Sequence, residues 1–221
     1  MVRAFAFQFA SLVCLAGSSL ADCGTALMLS MDVSNSIDSI EFRLQADGLA
    51  DALADPEIAE ILVRDQVALA VMQWSGEGKQ ALSIDWQIME DPAQVRAFAT
   101  ASRAMRRAFI LSDTAPAPAL EFALDQFARA PECGRRVIDV SGDGTPNAGG
   151  GVGPARQRAE RMGVTINGLA IEALGQAVAV TNFYRRNLVT RDGFVLTSRG
   201  HRAYPETIRR KLLRELARVL G

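Results

Sequence analysis

Histidine is almost missing from this chain. His201 is the single one among 221 residues, in a Gly200-His201-Arg202 stretch that reads as a surface turn. A Ser-His-Asp hydrolase has little to build on, and no Gly-x-Ser-x-Gly elbow is present to carry its nucleophile. No Gly-x-x-x-x-Gly-Lys loop occurs; the Gly149 to Gly153 stretch lacks the Lys and reads as a flexible rim loop, not a phosphate cradle. Basic blocks and aromatic-plus-arginine platforms are also lacking, which argues against nucleic acid as a partner. Arg103 with Arg106 and Arg107, and the run Arg209-Arg210-Lys211, read as solvated helix faces. Neither an internal repeat nor a linker is visible, and 49% apolar with 22% charged residues is an ordinary globular composition. One α/β domain with a sizeable core suits this length.

No segment beyond the N-terminus is apolar enough to span a bilayer. At the N-terminus, Arg3 precedes an uncharged, mostly apolar run from Ala4 to Ala21 that closes on Ser19-Leu20-Ala21 before Asp22. This has the form of a signal peptide over residues 1–21, with residues 22–221 as the exported domain and an uncleaved anchor as the rival. Removal would cost only Arg3 among 24 basic and 25 acidic residues, leaving a net charge of −2. Cysteine is scarce as well. Cys14 leaves with the signal, so Cys23 and Cys133 remain, an even pair suited to an oxidising compartment. Leu20-Ala21-Asp22-Cys23 resembles a lipoprotein box, but Asp22 stands where a small neutral residue is needed. A lipidated Cys23 could not pair with Cys133.

What is present is an alternation of strands and helices. Ala26 to Met31 and Val67 to Trp74 are short apolar runs expected of strands buried on both faces. Ala81 to Trp86 alternates as an antiparallel hairpin return, and Val137 to Ser141, Val164 to Ile171 and Gly193 to Thr197 read as further strands. Helices are expected from Asp38, with Glu41 as capping partner, through Ala54. Others run from Pro92 to about Arg103, from the Thr114 loop to near Ala130, from Pro154 to Met162, from Val178 to Leu188 and from Tyr204 to Leu220. Trp74 and Trp86 read as packing residues. The fold class that follows is a doubly wound, mostly parallel α/β sheet with one antiparallel edge strand and helices on both faces.

In such a sheet, ligands collect at the carboxyl ends of the strands where the strand order reverses. Asp32-Val33-Ser34-Asn35-Ser36 ends the first strand, and Asp143 follows the strand that starts near Val137. Carboxylates with hydroxyls form an all-oxygen set, suited to a hard divalent cation: Mg²⁺ first, with Mn²⁺ or Ca²⁺ as alternatives.

Asp-x-Ser-x-Ser at a strand end, a Thr in a loop before a helix (Thr114, then Ala119-Leu120) and a strand ending in Asp143-Gly144 resemble, in that order, von Willebrand factor type A domains. The residues match their metal-ion-dependent adhesion site. Cys133 to Gly144 and Thr165 to Leu169 are similar to one bacterial exported family of unknown function with this fold. The resemblance implies Ser34 and Ser36 as direct ligands, Thr114 direct or through water, and Asp32 and Asp143 as the charged outer partners. Three departures stand out. Asn35 replaces a familiar Gly, Pro116 and Pro118 stiffen the Thr114 loop, and Gly142 stands where many relatives have Thr, so a polar group is missing.

If the strands that lead to Asp32 and Asp143 are neighbours, as that fold implies, Cys23 and Cys133 fall together at the opposite rim and can be bridged. Asp139, roughly 13 Å below Asp143 at strand spacing, is too far to share the ion; an Arg or backbone donors are its expected structural partners.

The resemblance implies a periplasmic or secreted, non-enzymatic binding module that takes an acidic group of a protein partner at the cation. Two alternatives stand beside it: a metal-assisted hydrolase, and an adaptor of a cytosolic ATPase if the N-terminus is no signal.

Overall fold

The computed structural model describes residues 23–173 and 179–217. The expected signal peptide, Val178 at the start of one expected helix, and residues 218–220 of another lie outside the described residues.

Among the described residues, six strands form one sheet. They are β1 (Cys23–Asp32), β2 (Ala68–Trp74), β3 (Gln80–Ile88), β4 (Cys133–Gly142), β5 (Val164–Glu172) and β6 (Val195–Arg199). Their spatial order is β3-β2-β1-β4-β5-β6. Only β3 runs antiparallel to its neighbour, at an edge, so the sheet is of the expected type. The chain winds outward from β1 in one direction through β2 and in the other through β4. The switch point therefore lies between the carboxyl ends of β1 and β4.

Among the described residues, seven α-helices cover the sheet: α1 (Ser39–Leu53), α2 (Pro56–Arg64), α3 (Pro92–Ala104), α4 (Pro116–Gln126), α5 (Gly153–Arg161), α6 (Ala179–Phe183) and α7 (Tyr204–Ala217). Alternation along β1 sorts its side chains into two layers. Leu27, Leu29 and Met31 join the layer that holds Phe42, Leu49 and Leu212 of α1 and α7. Ala26 and Met28 join Leu120, Leu124 and Ala159 of α4 and α5. Trp74 is buried in that second layer, and Trp86 packs on Phe127, both as structural residues.

Asp38 caps α1 through the backbone N–H groups of Ile40 and Glu41, and Glu41 returns the bond to Asp38 N, the expected capping box. Helix α2 is an addition to the expected elements. Asp55 caps it and Pro56 opens it, by the same Asp-Pro device that marks α3 at Asp91-Pro92.

Cys23 and Cys133 are register partners on β1 and β4 and are joined by a disulfide that closes a 110-residue separation. The bridge sits at the end of these strands opposite Asp32.

Two readings of charge need correction. Lys211 does not belong to a solvated face; it is fully buried and forms an ion pair with Asp139, by close approach and not by aligned hydrogen bonds. Asp139 thus takes a lysine from α7, not an arginine. Beside the pair, Glu215 accepts from Asn167 Nδ2 at 2.5 Å and meets Arg135 at 3.3 Å. An unpaired charge at this depth would cost several kcal/mol, so the two ions must come in together. Arg103 and Arg209 do sit at the surface, paired with Asp51 and Asp55.

Candidate metal centre

The turn after β1 is shaped by its own residues. Asp32 Oδ1 accepts from Ser34 N at 2.8 Å, a local Asx-type bond that curls the chain over the strand end. Val33 N donates to Trp74 O at 2.8 Å and Asn35 N to Ser112 O at 2.9 Å, which ties the turn to both flanks. Ser34 and Asp32 are fully buried beneath it, while Ser36 is exposed.

The hydroxyls then form a chain. Thr114 Oγ1 donates to Ser34 Oγ at 3.1 Å, Ser34 Oγ and Ser36 Oγ are 3.2 Å apart, and Ser36 Oγ donates to Asp143 Oδ1 at 2.5 Å. All five residues singled out in the sequence are brought to one place. Thr114 is held there despite its prolines. Its N–H donates to Asn147 Oδ1 at 2.8 Å and its carbonyl accepts from Asn147 N at 3.1 Å, while Pro116 begins α4. The prolines set the helix start and leave the threonine in position.

Burial pushes the Asp32 carboxyl up to about 7, against the pull of Ser34. Burial raises Asp143 as well, opposed by the Ser36 hydroxyl and by His201. Asp32 Oδ2 is buried with no hydrogen-bond partner. Two reluctant carboxylates, an orphaned oxygen and three converging hydroxyls fit a small hard cation, whose charge would offset the cost of ionising both acids. Among the described residues, no group of three or more His, Cys, Asp or Glu side chains forms a metal cluster. Serine and threonine oxygens would have to complete any coordination here.

Three nearby residues carry no sign of the site in the sequence. Arg107, expected on a solvated face, reaches the turn and donates to Val33 O at 2.9 Å and Ser34 O at 2.8 Å. Tyr184, in the π-helical turn Tyr184–Leu188 that continues α6, buries its hydroxyl under the site without a partner. Gly142 makes room for it: a Cβ there would lie 2.7 Å from Tyr184 Oη and 2.9 Å from Asp32 Oδ2. A side chain at position 142 would thus collide with the hydroxyl of a tyrosine 42 residues further on.

His201 is the third, and the surface-turn reading of it is wrong. Its side chain is only 10% exposed, with Nδ1 3.0 Å from Glu41 Oε1 and Nε2 3.9 Å from Asp143 Oδ2. Nothing local in Gly200-His201-Arg202 signals this; β6 and α7 deliver the imidazole to the rim.

A mostly parallel sheet of this order, with Asp-x-Ser-x-Ser at the end of β1 and Asp143 after β4, defines a von Willebrand factor type A-like domain. The chain belongs to the family described as "Protein of unknown function (DUF1194)", which matches residues 22–220. No curated protein matches its sequence. Solved structures share the fold. Proximal thread matrix protein 1 from the mussel byssus is 14% identical with a TM-score of 0.65, over 90% of this chain and 48% of that one. Another structure of that protein is described as having a zinc-occupied MIDAS motif, the adhesion-site motif named above. A von Willebrand factor type A protein from Catenulispora acidiphila is 20% identical with a TM-score of 0.60, over 90% and 43%. BatB from Bacteroides thetaiotaomicron is 20% identical with a TM-score of 0.54, over 88% and 100%. The chain spans about half the length of the first two proteins.

Proposed function

We propose that this protein is an exported, non-enzymatic binding module. It holds one divalent cation through Asp32, Ser34, Ser36, Thr114 and Asp143 and offers that cation to a carboxylate of a protein partner. The observation that carries the reading is the unbroken hydroxyl chain from Thr114 to Asp143 above the orphaned Asp32 Oδ2. A bound cation would supply positive charge and an open coordination position for an anionic oxygen. The oxygens alone favour Mg²⁺. The zinc-occupied site of the mussel protein supports a divalent cation at a site of this kind. The disulfide supports an oxidising, periplasmic or secreted setting over the ATPase-adaptor alternative. No helix among the described residues is long and apolar enough to cross a membrane.

The test is calorimetric titration of chelator-stripped protein with divalent cations, then capture of envelope proteins with cation or chelator present, in wild type and Asp32→Ala. Cation-dependent capture that Asp32→Ala abolishes is expected. Capture that is equal under all conditions would remove the recognition reading, and a flat titration would remove the site.

Metal-assisted hydrolysis regains one argument, because His201 lies beside Asp143 and not far from it. Turnover of generic ester or phosphoester substrates that is lost with chelator and in His201→Ala would favour that reading.

A further inference from the structure

The surroundings of His201 treat its two nitrogens differently. Gly200, with φ at +81°, turns the chain out of β6 and lets His201 enter the short 3₁₀ turn ahead of α7. Nδ1 meets Glu41 Oε1 at 3.0 Å, and Glu41 is itself held because its other oxygen accepts from Asp38 N at 2.9 Å. A carboxylate can only accept, so Nδ1 faces Glu41 as the proton-bearing nitrogen, and in that tautomer a neutral ring presents its lone pair at Nε2. Nε2 is buried, has no hydrogen-bond partner and faces Asp143 Oδ2 across 3.9 Å. Asp143 divides its oxygens: Oδ1 takes the Ser36 hydroxyl, and Oδ2 is turned to the imidazole. A groove of about 480 Å³, lined in part by Ser36, Glu41, Asp143 and His201, opens the place to solvent.

A ligating histidine is typically held in this way, with one ring N–H given to a carboxylate and the other nitrogen left for the metal. The gap between Nε2 and Oδ2 is one that bonds of about 2.0–2.2 Å from a shared cation can fill. We infer that His201 Nε2 is a nitrogen donor to the cation held at Asp143, and that Glu41 is its positioning residue. This rests on the proposed reading that the oxygens hold a cation, and it changes which ion they prefer. Oxygens alone select hard ions, whereas an added imidazole favours borderline ions of the Zn²⁺ class. If His201 served only as a positive counter-charge between two acids, its loss would strengthen every divalent cation alike.

The test compares Zn²⁺ and Mg²⁺ affinities of the chelator-stripped full chain by competition titration at one pH. The variants are His201→Ala, Glu41→Gln and Ser34→Ala; Gln at position 41 keeps a capping-box residue on α1. Zn²⁺ affinity is expected to fall about tenfold or more in His201→Ala and several-fold in Glu41→Gln, with Mg²⁺ nearly unchanged in both. The visible spectrum of the Co²⁺-loaded protein should change in His201→Ala, since a donor atom is lost. Equal shifts for both ions, or an unaltered Co²⁺ spectrum, would overturn the inference. If Mg²⁺ binds and depends on Ser34 while Zn²⁺ ignores His201, only this inference falls. If wild type binds no cation, the oxygen site falls with it.

Discussion

Replacing Asp32 with asparagine should make the metal-free protein more stable while abolishing cation binding. Burial moves the carboxyl from 3.8 to about 7, and each unit corresponds to 1.36 kcal/mol. Ionised Asp32 therefore costs on the order of 4 kcal/mol of folding free energy above neutral pH. Between the two values the native state holds a proton that the unfolded chain has released, so stability falls as pH rises through that window and levels off above it. The substituted amide cannot ionise, yet its Oδ1 can still accept from Ser34 N. In chelator, Asp32→Asn should match wild type near pH 4 and exceed it by about 4 kcal/mol at pH 8, a melting shift on the order of 10 °C. Urea or thermal unfolding at both pH values measures this. Saturating cation should then stabilise wild type, by about 2.7 kcal/mol at a hundredfold excess over Kd, and leave the variant unmoved. A variant no more stable than wild type at pH 8 in chelator would refute the burial argument. One that still gains stability from cation would refute Asp32 as part of the site.

Removing the disulfide by Cys23→Ser with Cys133→Ser should cost about 5 kcal/mol by loop entropy over the 110-residue separation, read as a lower urea midpoint. Lys211→Met alone should cost about 3–5 kcal/mol because Asp139 is left charged and buried. Adding Asp139→Leu should recover most of that in equilibrium unfolding. Arg107→Ala removes the donors to two carbonyls of the Asp32 turn; about 1–3 kcal/mol of stability and a measurable part of the cation affinity should be lost. Gly142→Ser should destabilise the chain by crowding Tyr184 Oη, and Tyr184→Phe in the same chain should relieve part of the loss, as a thermal-melt series would show.

Much of this architecture is legible in the sequence because its signals are local. Ala26 to Met31 is apolar on both faces because β1 is central, and Asp-x-Ser-x-Ser is legible as a turn because Asp32 bonds its own neighbour. Asp143 and the cysteine pair follow once β1 and β4 are taken as neighbours, since register then fixes both ends. Helix α2 is equally legible from Asp55-Pro56, but the helical pattern of α1 runs up to it and masks its start. The rest has no local signal. Arg107, Tyr184 and His201 reach the site from segments distant in sequence, and Lys211 finds Asp139 from the helix packed on that face of the sheet. Composition sees such residues as ordinary charges and aromatics; only packing reveals what they face.

The bridge between Cys23 and Cys133 also acts as a gauge for the far end of its strands. In a parallel pair, a slip of two residues keeps every side chain on its proper face, so hydrophobic patterning alone penalises it weakly. Such a slip would move Asp143 past Asp32 by about 6.6 Å and pull the hydroxyl chain apart. It would also carry the two cysteine Cα atoms from their 4.5 Å separation to beyond disulfide reach. Oxidation thus admits one alignment of β1 and β4 and rejects its near neighbours. The spacing of the acids is settled covalently at the opposite rim, before any ion has a part in it.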